Sequence, residues 1–240
     1  MTEFKVRSTQ TEQIDDPAIV DERLTDALDQ LRVVGRRLGG YSSLMSILGP
    51  QLAVRRGLPT RILDVGAGMG DFAEYLMVWA TRQRLDVHVT AIDLNPRTVA
   101  HAGATLDRRL PHFQRDRIKV ETANALDLPY PVESFDFVVS SLFLHHLSDA
   151  DAVIALQNMN RVSRHGVIIS DLHRSRIAYH GFKAIAALLN MAPMIRNDGP
   201  ISVLRGFSAK ELRALAVAAN LPSPKLSWKW AYRWVLSSIR

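Results

Sequence analysis

Apolar and polar positions change rhythm twice along the 240-residue chain. From Pro17 to Leu38, apolar residues recur at helical spacing (Ile19/Val20, Leu24, Leu28, Leu31, Val34/Leu38). The pattern stops at Gly39-Gly40, which predicts an amphipathic helix. A second helical stretch is expected from about Tyr41 to Arg56, interrupted at Gly49-Pro50, because proline breaks the hydrogen-bond ladder. From residue 61 onward, short apolar runs alternate with amphipathic ones. Strands are expected at 61–65, 87–92, 117–121, 135–140 and 166–170, and helices at about 71–83, 96–109 and 149–163. That alternation predicts a parallel sheet with helices on both faces.

After Asp171 the alternation ends. "RSRIAYHGFKAIAALLNM" reads as helix and "APMIRNDGPISVLRG" as an irregular loop. "FSAKEL" then starts a helix, with Ser208 and Glu211 as a capping-box pair and Phe207 and Leu212 as its hydrophobic staple. The tail "PKLSWKWAYRWVLSSI" alternates on both sides of a short turn and predicts an antiparallel hairpin at the sheet edge. The chain divides, within one compact domain, into three parts. Residues 1–58 are expected to form a polar, disordered tail and a helical lid. Residues 59–172 form the core, and residues 173–240 an insertion, a helix and the hairpin.

Composition narrows the classes. Hydrophobic residues make up 47% of the chain, enough for a sizeable core. The net charge of +6 comes from scattered basic residues and short clusters such as Arg108-Arg109, which read as solvated helix faces; no nucleic-acid partner is expected. Cysteine is absent, which excludes disulfides, thiolate metal sites and cysteine nucleophiles. The N-terminus lacks an apolar signal core, and "GFKAIAALLNMAPMI" is broken by Lys183, Asn190 and Pro193, too short to span a membrane. A cytoplasmic protein, monomeric or homodimeric, is expected.

The stretch "RILDVGAGMGDFAEYL" concentrates the chemistry. Glycine is costly in a folded chain unless the backbone needs a positive φ or a ligand must approach closely. Strand, glycine turn and helix in succession cradle nucleotide-like ligands. The spacing here is G-x-G-x-G, with Asp71 where a dinucleotide fingerprint would place its third glycine, and no Lys-Ser/Thr follows as in a P-loop. Asp93 ends the next strand, suited to accept hydrogen bonds from both hydroxyls of a ribose.

These segments, together with "NALDLPYPVESFDFVVSSLFLHHL", resemble in order and spacing the motifs of class I S-adenosylmethionine-dependent methyltransferases. The likeness covers about residues 60–172 and is greatest to the small-molecule group that includes ubiquinone/menaquinone-type enzymes. It implies a Rossmann-like doubly wound sheet and S-adenosylmethionine as cofactor. It also implies that Gly66, Ala67, Gly68 and Gly70 shape the turn under the methionine portion, with Asp64 near its amino group. Asp93 would bind the ribose, and Leu94 and Leu126 would sandwich the adenine. Asn124 and Ala125 would meet the adenine edge, Asn124 through its amide oxygen where the family usually has Asp. Ser140, at the end of the fourth strand, belongs to the same expected set.

The resemblance makes the partner a small-molecule methyl acceptor, with O-methylation of a phenolic, polyketide-like or quinol-like compound favoured. A nucleic-acid or protein methyltransferase is the alternative. Ser140-Ser141-Leu142-Phe143 stand where amino-methyltransferases of nucleic acids carry Asn/Asp-Pro-Pro-aromatic, which argues against it. A non-catalytic binding protein is the second alternative, opposed by the intact glycines and acidic residues. A phenol must lose a proton, and three histidines follow strand ends where a base would lie: His145, His146 and His173. The competing role for the pair is capping the helix that begins near Ser148. No metal site is expected, because adjacent histidines should point apart and no H-x-x-x-H spacing occurs. Arg174, Arg196 and Arg205 read as surface arginines, with a role in holding an anionic acceptor as the alternative.

Overall fold

The computed structural model describes residues 4–15, Gln30, Arg32 and 40–240. The helix expected over 17–38 lies almost wholly outside the described residues. Seven strands form one sheet: β1 (Thr60–Val65), β2 (Val87–Asp93), β3 (Ile118–Thr122), β4 (Phe135–Ser141), β5 (Ser163–Leu172), β6 (Lys225–Lys229) and β7 (Arg233–Ile239). Their order is β3-β2-β1-β4-β5-β7-β6. The first five are parallel; β7 runs antiparallel between β5 and β6. The expected hairpin therefore forms, and its second strand is the one that joins the sheet.

The described helices are α1 (Gly40–Val54), α2 (Asp71–Arg82), α3 (Pro96–Arg109), the single turn α4 (His112–Arg115), α5 (Asp149–Val162), α6 (Arg176–Leu188), α7 (Pro193–Arg205) and α8 (Ala209–Ala218). Strand periodicity of two sends Ile62, Phe137 and Val139 to one face, where they pack with Leu44, Leu48, Phe72 and Leu76 of α1 and α2. Leu63, Val65 and Val138 go to the other face, against Leu156 and Met159 of α5 and Leu212 and Leu215 of α8. The result is the doubly wound, Rossmann-like architecture with an antiparallel C-terminal hairpin.

Three expectations are corrected. First, α1 runs uninterrupted through Pro50, which lies on its exposed side. A mid-helix proline costs ~3 kcal/mol, whereas full burial of Leu44, Leu48 and Leu52 contributes ~1.5–3 kcal/mol each, so the core contacts win.

Second, the "APMIRNDGPISVLRG" segment contains α7. Pro193 occupies its first turn, where the missing N–H costs nothing. Its turn-like Asn-Asp-Gly-Pro run is used for packing. Asp198 is buried and accepts hydrogen bonds from Gln13 N (3.0 Å) and Ile14 N (2.9 Å). Any Cβ on Gly199 would lie 1.9 Å from the Phe182 ring.

Third, the described N-terminal residues are ordered by contacts. Ser8 N donates to Leu204 O at 3.1 Å, the Arg7 guanidinium lies 4.2 Å from the centre of the Phe207 ring, and Gln13–Asp15 form a 3-10 turn. The "FSAKEL" expectation holds. Ser208 Oγ accepts from Glu211 N, Glu211 Oε2 accepts from Ser208 N at 2.6 Å, and Phe207 and Leu212 are buried together.

Candidate active site

All five parallel strands end at one edge, and the strand order reverses between β1 and β4, the place where open α/β sheets bind ligands. The turn leaving β1 is tied down by Ala67 N donating to Ile92 O (2.9 Å) and Gly70 N to Ala67 O (2.9 Å). Gly68 N donates to Asp93 Oδ2 (3.0 Å), and Asn95 N donates to Asp93 Oδ1 (3.0 Å). Asp93 thus braces the glycine turn against the turn after β2. Each of its oxygens keeps a second lone pair for a ligand hydroxyl.

The glycines of this turn differ. A Cβ on Gly66 would lie 2.4 Å from the Phe143 ring, so its absence makes room for that side chain. A Cβ on Gly68 would meet nothing within 4 Å. Open space over Gly68 is what a ligand under that turn requires.

Beneath the turn, Asp64 is buried, and its Oδ2 has no hydrogen-bond partner. Burial first, then the charges of Asp93 and Asp71, push its carboxyl up to about 7. An ammonium group placed there would satisfy the oxygen and restore its charge.

On the β2–β3 side, Leu94 is 67% exposed, an apolar side chain open to a flat ring. Asn124 Oδ1 accepts from Leu126 N at 2.9 Å, closing the loop after β3. That amide oxygen, like those of Asp93, keeps a second lone pair for a ligand. Ala125 is buried and Leu126 half-buried beside it. Ser140 departs from expectation. It is fully enclosed, and its hydroxyl donates to Val65 O at 2.8 Å, a tie between β4 and β1.

The histidine pair lies in a 3-10 turn, Leu144–His146, after β4. Their rings do not point apart: the ring centroids are 4.1 Å apart. Neither caps α5, whose N-cap is Ser148, accepting from Asp151 N. His145 is 2% exposed, with Nδ1 2.7 Å from Asp171 Oδ1. Burial alone would raise the Asp171 carboxyl, but the charge and hydrogen bond of His145 and the N–H of Leu172 bring it below its ordinary value. Glu12 reaches the pair from the N-terminal segment: its Oε1 is 3.8 Å from His145 Nε2 and 3.8 Å from His146 Nδ1.

His173 follows β5. Trp228 Nε1 donates to its Nδ1 at 3.3 Å, and the Trp234 ring packs beside it, centroids 5.0 Å apart. Burial, then the charge of Arg174, lowers its basicity, so the neutral ring carries its proton on Nε2.

Two of the three arginines are not on the surface. Arg174 is buried and pairs with Glu211 at 2.7 Å; Arg205 is buried and donates to His145 O at 2.8 Å and Gln10 O at 2.7 Å. Arg196 is exposed.

Sequence reasoning missed Phe143, Asp171, Glu12 and Arg233. Arg233 is buried near Asp171 with Nε and Nη1 lacking partners, and burial pulls it down to about 10. Among them only Asp171 had a local signal, an acid ending an apolar strand.

Comparison with known proteins agrees with this geometry. Residues 62–166 match the family described as "Methyltransferase domain". A 27-O-demethylrifamycin SV methyltransferase of Amycolatopsis mediterranei is 38% identical over 107 residues, which is 45% of this chain and 36% of that protein. An O-methyltransferase of Aspergillus nomiae is 34% identical over 127 residues, 52% of this chain and 51% of that one. These alignments span about a third to a half of the relatives' own length. A crystal structure of a SAM-dependent methyltransferase from Aquifex aeolicus superposes with a TM-score of 0.62 at 17% identity, over 92% of this chain and 99% of that one.

Proposed function

From the match of residues 62–166 to the methyltransferase-domain family, we infer that the protein uses S-adenosylmethionine to transfer a methyl group to an oxygen of a small phenolic, polyketide-like or quinol-like acceptor. The observation that carries this is the buried, unpartnered Asp64 Oδ2 beneath a glycine turn that is open above Gly68. An oxygen so placed is matched by the cofactor's ammonium group, while Asp93 faces the ribose and Leu94 the adenine. When bound, the cofactor supplies an electrophilic methyl on a sulfonium. The relatives that methylate oxygen support the acceptor class. No helix among the described residues is long and apolar enough to cross a membrane.

The chain's own contribution is chiefly placement, which supplies up to ~7–11 kcal/mol in favourable intramolecular cases. His145, held between Asp171 and Glu12 and closed to solvent, serves position. His146 shares that cluster. His173 is the acceptor-side histidine, offering a donor at Nε2. The purified chain with S-adenosylmethionine and a panel of phenols, quinols and polyketides is expected to yield a product heavier by one CH₂. Cofactor binding with no product on any panel member would favour a binding protein instead.

Because Trp228 fixes the His173 tautomer, His173→Gln is expected to keep most of the turnover, and His173→Ala to lose more. A ~10²–10⁴-fold loss in the Gln variant, with cofactor affinity intact, would instead make His173 the base.

A further inference from the structure

Among the described residues, one group of metal-ligating side chains converges: Glu12 Oε1, His145 Nε2 and His146 Nδ1 lie within 4.8 Å of one another. It joins two segments more than 130 residues apart in the chain. Glu12 is 4% exposed, and its Oε1 has no hydrogen-bond partner, although Oε2 accepts from Ser202 Oγ. His145 Nδ1 lies 2.7 Å from Asp171 Oδ1 and its other ring nitrogen, Nε2, lies 3.8 Å from Glu12 Oε1, so the ring bridges two buried carboxylates. A buried carboxylate oxygen without a hydrogen-bond partner, with an imidazole nitrogen of each histidine 3.8 Å away, is a place that a bound cation would satisfy.

We propose that Glu12, His145 and His146 bind a divalent transition-metal ion of the Zn²⁺ class, with Asp171 orienting the His145 ring from behind. A carboxylate or carbonyl on the far ring nitrogen is the usual support of a metal-bound histidine. Two imidazoles and one carboxylate are a known zinc donor set and select Zn²⁺, Co²⁺ or Ni²⁺ over Mg²⁺ or Ca²⁺. Bonds of ~2.0–2.2 Å to a tetrahedral ion put donor atoms roughly 3.3 Å apart. The 3.8 Å separations therefore close by about half an ångström on binding, within the reach of small side-chain rotations.

Arg205 lies beside the site, Nε 3.8 Å from Glu12 Oε1. It donates to the carbonyls of Gln10, His145 and His146, and its 3.8 Å approach to Glu12 is an ion-pair distance too long for a hydrogen bond. Arg205 is the cation beside Glu12, and the buried Arg233 lies near Asp171. The ion would tie the N-terminal segment to the turn after β4, at the edge the acceptor uses if the proposed reaction is correct; ion binding itself does not depend on that reaction.

The test uses the full chain without a polyhistidine tag, stripped with chelator and titrated calorimetrically with Zn²⁺. One ion per chain is expected, and Co²⁺ in its place should give the d–d absorption of a low-coordinate site. Glu12→Gln and His146→Ala, neither of them in a strand of the sheet, should each weaken binding by at least about tenfold. Zn²⁺ should also protect residues 4–15 from limited proteolysis in the wild type and not in Glu12→Gln. Absence of stoichiometric uptake would mean the cluster holds only a proton and overturns the proposal. Uptake that Glu12→Gln leaves unchanged places the ion at other histidines and overturns it equally.

Discussion

Asp64→Asn is expected to make the ligand-free protein more stable at pH 8 and nearly abolish its cofactor affinity. The cause is the carboxyl pushed up to about 7 by burial and by its acidic neighbours Asp93 and Asp71. A group whose folded value exceeds its unfolded one contributes stability that is complete below the unfolded value, near 4. That contribution is lost as pH rises through about 7. At pH 8 the native protein therefore holds a desolvated, unpaired charge. At ~1.4 kcal/mol per unit, its cost is on the order of 2–4 kcal/mol. Asparagine keeps the shape and removes the charge. Thermal unfolding should show the variant ahead of the wild type at pH 8, with the gap narrowing steadily as pH falls toward 4.

Binding should run the other way. An ammonium ligand needs the carboxylate, so wild-type affinity for S-adenosylhomocysteine should climb as pH rises toward 8. The variant should bind at least ~10–100-fold more weakly, and without that climb, because a buried charge-assisted bond is lost. Equal affinity in the variant, or no stability difference at pH 8, would remove Asp64 from any cationic ligand site.

This opposition between stability and binding explains which parts of the protein were legible in the chain. β1 to β5 fall within a few residues of the expected runs. The middles of β4 and β5 are buried on both faces and apolar throughout, while β2 and the sheet-edge β3 keep apolar residues on alternate positions. Helix starts were legible where the cap is local. Asn95 accepts from Arg97 N two residues on, and Ser208 and Glu211 bond each other across one turn.

Features decided by distant partners gave no such signal. Pro200 and Gly199 resemble a turn until Phe182 is packed against them. Arg174 and Arg205 look like surface charges, and only the carbonyls of remote segments bury them. Glu12 sits in a polar tail, and its meaning depends on His145. The glycine turn and its brace to Asp93 were legible because they are local to two neighbouring strand ends. The surroundings of His145, drawn from the N-terminal segment, the end of β5 and α7, were not.

Gly68→Val is expected to leave a folded protein that no longer binds the cofactor, and the contrast with Gly66→Val tells why. Gly68 has φ +52°, and its Cβ would meet nothing within 4 Å. The variant therefore incurs mainly the left-handed backbone cost of ~1–2 kcal/mol. In a chain of this size that lowers the melting temperature by only ~2–8 °C. Its branched side chain, however, fills the space over the turn, and its N–H must still reach Asp93 Oδ2. Affinity for S-adenosylhomocysteine should fall beyond the range of calorimetry.

Gly66→Val places its Cβ 2.4 Å from the Phe143 ring at φ +68°. Both strain and overpacking apply, the latter adding ~1–3 kcal/mol. Its melting temperature should fall further than that of Gly68→Val. If Gly68→Val binds normally, the open space above the turn is not the cofactor site, and the glycines serve only the passage of the chain from β1 into α2. If instead both variants melt alike and both lose binding, the turn acts as one unit. The ligand then reads its backbone rather than the gap above Gly68.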